Sequence, residues 1–203
     1  GNIDARPGNS VAVDLGIYYT KPFRSSNSSY SLGAAITNLG AKITYSDSNN
    51  KDFIPTNLRL GGAYTRELDS QNKLTFALDF NKLMVPSPPK DNSTALLSGI
   101  FGSFTDAPGG FNEEISEFMI STGTEYWYND TFAGRLGYFY EALYKGDRQY
   151  LTAGVGFRYD KFGIDVAYLV PTNGRENALA ETIRFTLMMN FQNKKGVDDS
   201  ITD

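Results

Sequence analysis

Apolar residues recur at every second position in one stretch of this chain after another, and charged residues of both signs fall on the positions between them. The first stretch places on a single face Val11, Val13, Leu15, Ile17 and Tyr19. A side-chain period of two indicates a β-strand with one apolar face. Segments of about ten alternating residues, separated by turn residues, are typical of a transmembrane β-barrel whose apolar face contacts lipid.

The alternation predicts about nine antiparallel strands. They are centred near residues 11–20, 30–40, 56–68, 73–83, 117–128, 131–142, 149–159, 162–170 and 181–191. Short polar connections at 68–72, 129–130 and 160–161 alternate with longer ones at about 41–55, 85–117, 144–148 and 171–180. Outer-membrane barrels have short periplasmic turns and longer outer loops. We therefore expect an all-β, antiparallel transmembrane barrel over residues 1–192 and a polar periplasmic tail over residues 193–203.

The strand count and the first residues predict that further chain precedes this one. A single-chain bacterial barrel normally has an even number of strands, whereas about nine are predicted here. The chain opens on polar residues and not on a signal peptide. We expect the carboxyl-terminal portion of a larger barrel in the bacterial outer membrane, surrounded by outer-membrane lipid and preceded by a leader and several strands.

A soluble antiparallel sandwich or barrel is the competing interpretation, because its strands also present one apolar face to a core. The predicted strands are about ten residues long, whereas strands of soluble sheets usually have about five or six. Tyrosines also recur near the strand ends, as at Tyr64, Tyr126 and Tyr168. Interfacial aromatic girdles occupy such positions in membrane barrels, so the membrane barrel is favoured.

The composition excludes several classes of function. The 203 residues contain no cysteine and no histidine. Without cysteine, the chain has neither a disulfide scaffold nor a thiolate metal site. Without histidine, it lacks the commonest general base and metal ligand and cannot form a Ser-His-Asp triad. The net charge of -4 offers no basic surface to nucleic acid. We expect no catalytic residue, metal, cofactor or nucleic-acid partner.

Charged residues lie at the strand positions between the apolar ones, here called the polar beat, and are predicted to point into the barrel lumen. They are Asp14, Arg59, Glu67, Asp79, Arg135, Glu141, Arg158, Asp165 and Arg184. Their signs nearly balance. Because buried charges need partners, the favoured interpretation is a network of cross-strand ion pairs that fills and stiffens the interior. The alternative is a charged channel lining or a ligand site in the lumen, and nothing in the sequence selects a solute.

The connection at 85–117 is the least regular part of the chain and the best candidate for contact with a partner. After the proline-rich residues 86–89, which cannot pair in a ladder, Asn92 or Ser93 predicts the cap of a short helix. An apolar stripe at helical spacing follows, formed by Leu96, Leu97, Ile100, Phe101 and Phe104. Residues 112–114 predict the start of a second short helix. The stripe either packs on the barrel's own mouth or on the missing segment, or it forms a docking surface for another protein.

Three segments of the chain resemble the PorV (LptO) family of outer-membrane barrels. They are residues 9–19 (NSVAVDLGIYY), 55–64 (PTNLRLGGAY) and 125–133 (EYWYNDTFA). The family belongs to the type IX secretion system of Bacteroidetes and is related to the fourteen-stranded FadL group. The resemblance extends over most of the chain and implies that this is the carboxyl-terminal part of such a barrel.

The resemblance implies a binding and shuttling role without chemistry in the barrel. Family members receive cargo that carries a folded carboxyl-terminal signal domain from the translocon channel, and they pass it to a cell-surface attachment complex. Recognition would involve the outer loops. The name LptO reflects a link to lipopolysaccharide deacylation, which the missing histidines argue against for this portion.

Two alternatives to the shuttle are a FadL-like channel for hydrophobic small molecules and a purely structural barrel. A channel needs a continuous apolar path or a side opening, whereas a shuttle can have a closed, ion-paired interior. The charged polar beat therefore favours the shuttle.

Overall fold

The computed structural model describes residues 10–43, 53–86, 95–143, 145–172 and 182–191. These form one nine-stranded antiparallel sheet in which every strand pairs with its neighbour in the sequence. The strands are β1 (Ala12–Phe23), β2 (Ser28–Gly40), β3 (Asn57–Glu67), β4 (Asn72–Leu83), β5 (Phe118–Tyr128), β6 (Phe132–Tyr140), β7 (Gln149–Tyr159), β8 (Phe162–Pro171) and β9 (Ile183–Met189). Two short helices, α1 (Leu96–Gly102) and α2 (Phe111–Ser116), lie in the β4–β5 connection.

The structure confirms the predicted all-β architecture and the count of nine strands. The bounds agree to within a few residues, and the largest difference is between β1 and β2. The sequence predicts strands that end near residue 20 and resume near residue 30, whereas pairing continues to Phe23 opposite Ser28. A single 3-10 turn (Arg24–Ser26) and Asn27, with a φ of 45°, close this hairpin.

The two ends of the sheet differ in the length of their connections. At the turn end, β3–β4, β5–β6 and β7–β8 are joined by tight turns, and Asn129 and Asp130 both adopt the positive φ typical of two-residue hairpins. The connections at the opposite end, here called the loop end, span 41–56, 84–117, 141–148 and 172–182. Both helices therefore lie at the loop end.

The register divides the side chains between two faces. Residues directly opposite each other in an antiparallel ladder lie on the same face. One such row crosses six strands as Ile17, Ala34, Leu60, Phe80, Ile120 and Tyr140. We call its side the apolar face and the other the charged face. Large side chains on the apolar face are exposed, including Leu136 at 63% and Phe185 at 73%, whereas a soluble sandwich would bury them in its core.

One irregularity interrupts the pairing of β1 with β2 and explains the role of Asp14. Val13 is opposite Leu39, but Leu15 is opposite Ile36, so two residues of β2 face the single residue Asp14. This is a β-bulge, and Asn38 within it has a φ of 57°. The Asn38 N–H donates to Asp14 Oδ1 at 2.8 Å. Asp14 therefore satisfies a backbone donor that the bulge removes from the ladder.

The directions of the edge strands determine how a barrel containing this sheet can close. In a meander of nine antiparallel strands, β1 and β9 run in the same direction. A ladder between them would be parallel, so closure by antiparallel pairing requires an odd number of additional strands between β9 and β1. The expected earlier strands remain a prediction. No helix within the described ranges has the length and apolar character needed to span a membrane.

Candidate functional site

A group of four ion-paired side chains occupies the charged face across β5 to β8. Arg135 donates through Nε to Glu125 Oε2 at 2.5 Å and through Nη1 to Asp165 Oδ1 at 2.7 Å. Arg158 donates to both carboxylate oxygens of Asp165, at 3.0 and 2.8 Å. The indole ring of Trp127 lies 5.4 Å from each guanidinium carbon. Two cations and two carboxylates balance, so this group has no net charge to attract an ionic ligand.

Small residues under this group allow the arginines to lie across the sheet. Arg135 reaches from β6 over β7 to Asp165 on β8, and the residue it crosses is Gly156. A Cβ at Gly156 would lie 2.5 Å from Asp165 Oδ1 and 2.8 Å from Arg135 Nη1. Ala133, the neighbour of Gly156 on β6, is also small and buried. A larger side chain at either position would occupy the space that the ion pairs use.

The remaining charges of the polar beat lie apart from this group. Arg59 donates to Asn81 Oδ1 at 2.7 Å, and Asp79 leans over Gly61, where a Cβ would lie 2.1 Å from Asp79 Oδ1. Glu67 is opposite Lys73 in the ladder, and Arg184 is exposed opposite Ala167. The described contacts thus join Arg135, Arg158 and Asp165, add Glu125, which was not among the predicted members, and do not bring the other predicted members into this group. Their assignment to a lumen remains a prediction.

A second group of charges lies at the loop end and attaches α2 to the sheet. Lys82 has a side chain with 0% exposure, although it belongs to the apolar face through its ladder partner Phe118. Its Nζ lies 3.1 Å from Glu114 Oε2 and also forms an ion pair with Glu117. The rings of Phe104 and Phe118 are 5.7 and 5.5 Å from the ammonium. Lys82 therefore fixes the end of α2 over β4 and β5.

Lys145 extends this group to the β6–β7 connection. Its Nζ lies 3.1 Å from Glu113 Oε1 and 2.9 Å from Glu117 Oε1. Glu117 therefore bridges two lysines, one on β4 and one in the β6–β7 connection. We call Lys82, Glu113, Glu114, Glu117 and Lys145 the lysine clamp.

The electrostatic environment favours the charged forms of Glu113, Glu114 and Lys145. Burial by itself would raise the pKa of Glu114, but the Ala107 N–H and Lys82 outweigh it, and the pKa is lowered. The Gly109 N–H and then Lys145 lower the pKa of Glu113. Burial opposes the charge of Lys145, yet Glu117 and Glu113 raise its pKa above the ordinary value. These shifts mean that the ionised clamp is more stable in the folded chain than its separated groups.

Helix α1 packs inward through part of the predicted apolar stripe. Ile100 is only 2% exposed, and a Cβ at the neighbouring Gly99 would lie 2.6 Å from the Phe53 ring. Ile100 thus belongs to the packing of the connection, while Phe101 is 67% exposed. Leu96 and Leu97 lie in α1, but their side chains fall outside the described part of the structure.

The helix boundaries differ in part from the predicted ones. Ala95 occupies the N-cap of α1 without a side-chain cap, whereas the sequence favours Asn92 or Ser93, which lie outside the described residues. The predicted second helix is confirmed as α2, with Gly110 at its N-cap and Glu113 and Glu114 in its first turn.

The loop end presents a set of exposed apolar side chains that the sequence stripe only partly identifies. Phe111 is 77% exposed and Ile115, one helical turn later, is 52% exposed; side chains four apart lie on the same helix face. Phe101 and Phe104 are the exposed members of the predicted stripe. We call Phe101, Phe104, Phe111 and Ile115 the apolar patch. The sequence pattern did not indicate Phe111 and Ile115, because the charged residues between them obscure their four-residue helical spacing.

A cleft of about 470 Å³ lies beside the clamp at the loop end. Its wall includes the bidentate pair in which Arg148 donates to Glu141 through Nε at 2.5 Å and Nη2 at 3.0 Å. The lining residues are Leu83, Val85, Pro86, Glu117, Met119, Glu141, Lys145 and Arg148. Every charge in the wall has a partner of opposite sign. Within the described ranges, no group of carboxylates suited to a metal ion is found.

We predict that Gly156→Ala destabilises the folded chain by about 1 to 3 kcal/mol, the usual effect of overpacking, because the added Cβ displaces Asp165 or Arg135. Gly134→Ala is the matched control, since Gly134 lies on the adjacent strand but on the apolar face, with no atom within 4 Å of its Cβ position. Thermal unfolding of the full-length protein in detergent measures both. Equal midpoints for the two variants would show that the ion pairs do not need Gly156.

We predict that acid releases the α1–α2 segment. A carboxyl whose folded pKa is lowered contributes stability that is complete above its ordinary pKa of 4.5 and is lost as the pH falls through the lowered value. A lysine with a raised pKa contributes stability that is lost only as the pH rises above its ordinary value of 10.5. The protection factors of the backbone amides in residues 95–117, which correct for the intrinsic pH dependence of exchange, should therefore be high at neutral pH and fall as the pH is lowered below 4.5.

A pair of substitutions tests whether the clamp is the cause. Lys82→Met leaves Glu114 and Glu117 without their buried cation, so it should accelerate exchange in the same segment at neutral pH. Lys73→Met removes an ion pair to the exposed Asp130 at the turn end and should leave that exchange unchanged. Protection that is insensitive both to acid and to Lys82→Met would contradict the role of the clamp.

Comparison with known protein families gives a match in the amino-terminal part of the chain. The sequence profile of the family described as type IX secretion system protein PorV matches residues 2–90, a stretch that includes β1 to β4. Comparison with curated proteins gives no match. The matched stretch contains two of the three segments on which the resemblance rests. Over residues 2–90 the chain is therefore similar to the family of type IX secretion system protein PorV.

Proposed function

We propose that this chain is part of an outer-membrane protein that binds secreted cargo at the type IX translocon and passes it to the cell-surface attachment complex. The cargo would be recognised through its carboxyl-terminal signal domain. The observation that carries the proposal is the apolar patch, which is exposed at the loop end while the lysine clamp holds the segment beneath it. The family match supports the secretion system as the setting.

The two faces of the sheet support a membrane location. The large side chains of the apolar face are exposed along all nine strands. This face would contact lipid, because the hydrocarbon core of a bilayer is the environment that suits such a surface. The loop end would face outward and the turn end would face the periplasm, since long connections are external in such barrels. Strands from outside the described sheet would complete the barrel.

The apolar patch has the properties of a protein-docking surface. Interfaces derive most of their binding free energy from a few large side chains, and aromatic residues are prominent among them. Three of the four patch residues are phenylalanines. Because the clamp attaches α2 to both β4 and the β6–β7 connection, the patch is already ordered before a partner binds, which reduces the entropic cost of association.

The charged face argues against the alternative of a FadL-like uptake channel. A channel for hydrophobic molecules requires a continuous apolar path or a side opening. The face that would line the lumen instead carries Arg135, Arg158 and their carboxylate partners, held 2.5 to 3.0 Å apart. The arrangement supports a closed, ion-paired interior and a function located at the loop end.

We predict that replacing Phe101, Phe111 and Ile115 together by serine in the full-length protein weakens its association with translocon and cargo by at least about tenfold, because each truncation of an interface hot spot typically costs over 1 kcal/mol. Asn112→Ser, an exposed polar change in the same helix, is the control. Co-purification from membranes is compared at equal outer-membrane levels of all variants.

Two other outcomes are informative. Unchanged recovery of translocon and cargo with the triple variant would contradict the assignment of the docking surface. Loss of the folded, heat-modifiable barrel would show that the patch serves the packing of the barrel mouth.

A further inference from the structure

A groove on the apolar face is centred on Gly62. The register places Gly62 between Leu32 on β2 and Leu78 on β4, and because Gly62 has no side chain, the face is depressed there. The resulting volume is about 640 Å³, and its walls include Leu60, Tyr64 and Phe76. The groove is open along the surface, and its walls are formed mainly by aliphatic and aromatic side chains.

The charges of the apolar face are restricted to three cations. In the register from β1 to β9, the strand positions of this face include Lys21, Arg66 and Lys82 and no carboxylate. Lys82 is the buried cation of the clamp at the loop end. Lys21 and Arg66 are exposed at the turn end, and no carboxylate of the described chain lies within ion-pair distance of either.

Both exposed cations lie at one end of the groove. Lys21 is opposite Tyr30, which is opposite Tyr64 in the groove wall, and Arg66 is two residues beyond Tyr64 on β3. At about 3.3 Å per residue, Gly62 lies about 13 Å along the strand from Arg66. Half of a bilayer's hydrocarbon core is about 15 Å thick. The cations and the groove are thus separated by the distance between a lipid phosphate and the middle of its acyl chain.

We propose that this surface is a binding site for one glycerophospholipid of the leaflet at the turn end, with the phosphate between Lys21 and Arg66 and an acyl chain in the groove over Gly62. The inference rests on the membrane location given under the proposed function. An anionic phosphate complements two cations that have no carboxylate nearby, and arginine and lysine are the side chains that bind phosphate best. The acyl chain fills the apolar groove, which would otherwise remain an empty depression in the surface.

The groove itself supplies a substitution that tests the acyl-chain contact. A Cβ at Gly62 would meet Leu32 Cδ2 at 3.5 Å and Ser31 O at 3.8 Å, which are ordinary contacts. Gly62→Leu should therefore fill the groove without disturbing the sheet. Gly134→Leu is its control, because Gly134 lies on the same face outside the groove with nothing within 4 Å of its Cβ position.

The experiment measures lipid retained by the full-length protein in detergent, by native mass spectrometry after addition of phosphatidylethanolamine or of diacylglycerol, which lacks the phosphate. We expect the parent to retain phosphatidylethanolamine and not diacylglycerol. Lys21→Gln with Arg66→Gln, and separately Gly62→Leu, should each reduce retention by about tenfold or more. Gly134→Leu and Lys161→Gln, a charge change at another turn-end position, should retain lipid like the parent.

The outcomes separate this inference from the proposed function. Equal retention by the parent and all variants, or equal retention of diacylglycerol, would show only unspecific lipid around the barrel and would overturn the site. If the double variant fails to fold, Gly62→Leu and the single substitutions decide in the same assay. A parent that does not insert into membranes would contradict the membrane location itself, whereas lost lipid with unchanged translocon recovery would support this site and leave the docking proposal intact.

Discussion

The register of the nine-stranded ladder is the constraint on which the rest of this structure depends. Side chains directly opposite each other share a face, so a single register from β1 to β9 keeps the apolar residues together and the charged residues opposite them. A slip of one residue in any ladder would exchange the faces of every strand beyond it. At the bulge, two residues of β2 lie opposite the single residue Asp14 of β1, and this is the one register shift in the described ladders. The Asp14 carboxylate accepts a hydrogen bond from the Asn38 N–H there.

Charge placement follows from the same division. On the charged face, Arg135 reaches across Gly156 to the Asp165 carboxylate two strands away. On the apolar face, Lys82 is tolerated at the loop end because α2 covers it and supplies two carboxylates. Lys21 and Arg66 remain uncovered at the turn end, where an aqueous boundary or a lipid phosphate would solvate them. The three cations of the apolar face therefore all lie near the ends of their strands.

The sequence predicted the strands well because each strand carries its own period of two, and the positive φ at Asn129 and Asp130 followed from local turn chemistry. It predicted α2 from capping residues. It did not predict the clamp, because Lys82 and Glu114 are 32 residues apart and meet only when the connection folds back. The position of α1 depends likewise on a distant contact, because Gly99 lies against the Phe53 ring of the β2–β3 connection. The available signal for the clamp was Lys82, a cation at an apolar position of β4.

The central claim is that the apolar face contacts lipid and the charged face does not. These 203 residues contain no cysteine, so a cysteine introduced at a chosen position is the single thiol in this part of the chain. Leu136→Cys and Val155→Cys probe the apolar face, and Ser121→Cys and Thr152→Cys probe the charged face. In the full-length protein in a bilayer, a nitroxide attached to an apolar-face cysteine should be accessible to oxygen dissolved in the lipid, whereas a nitroxide on a charged-face cysteine should not. Equal accessibility to oxygen on both faces would contradict the account.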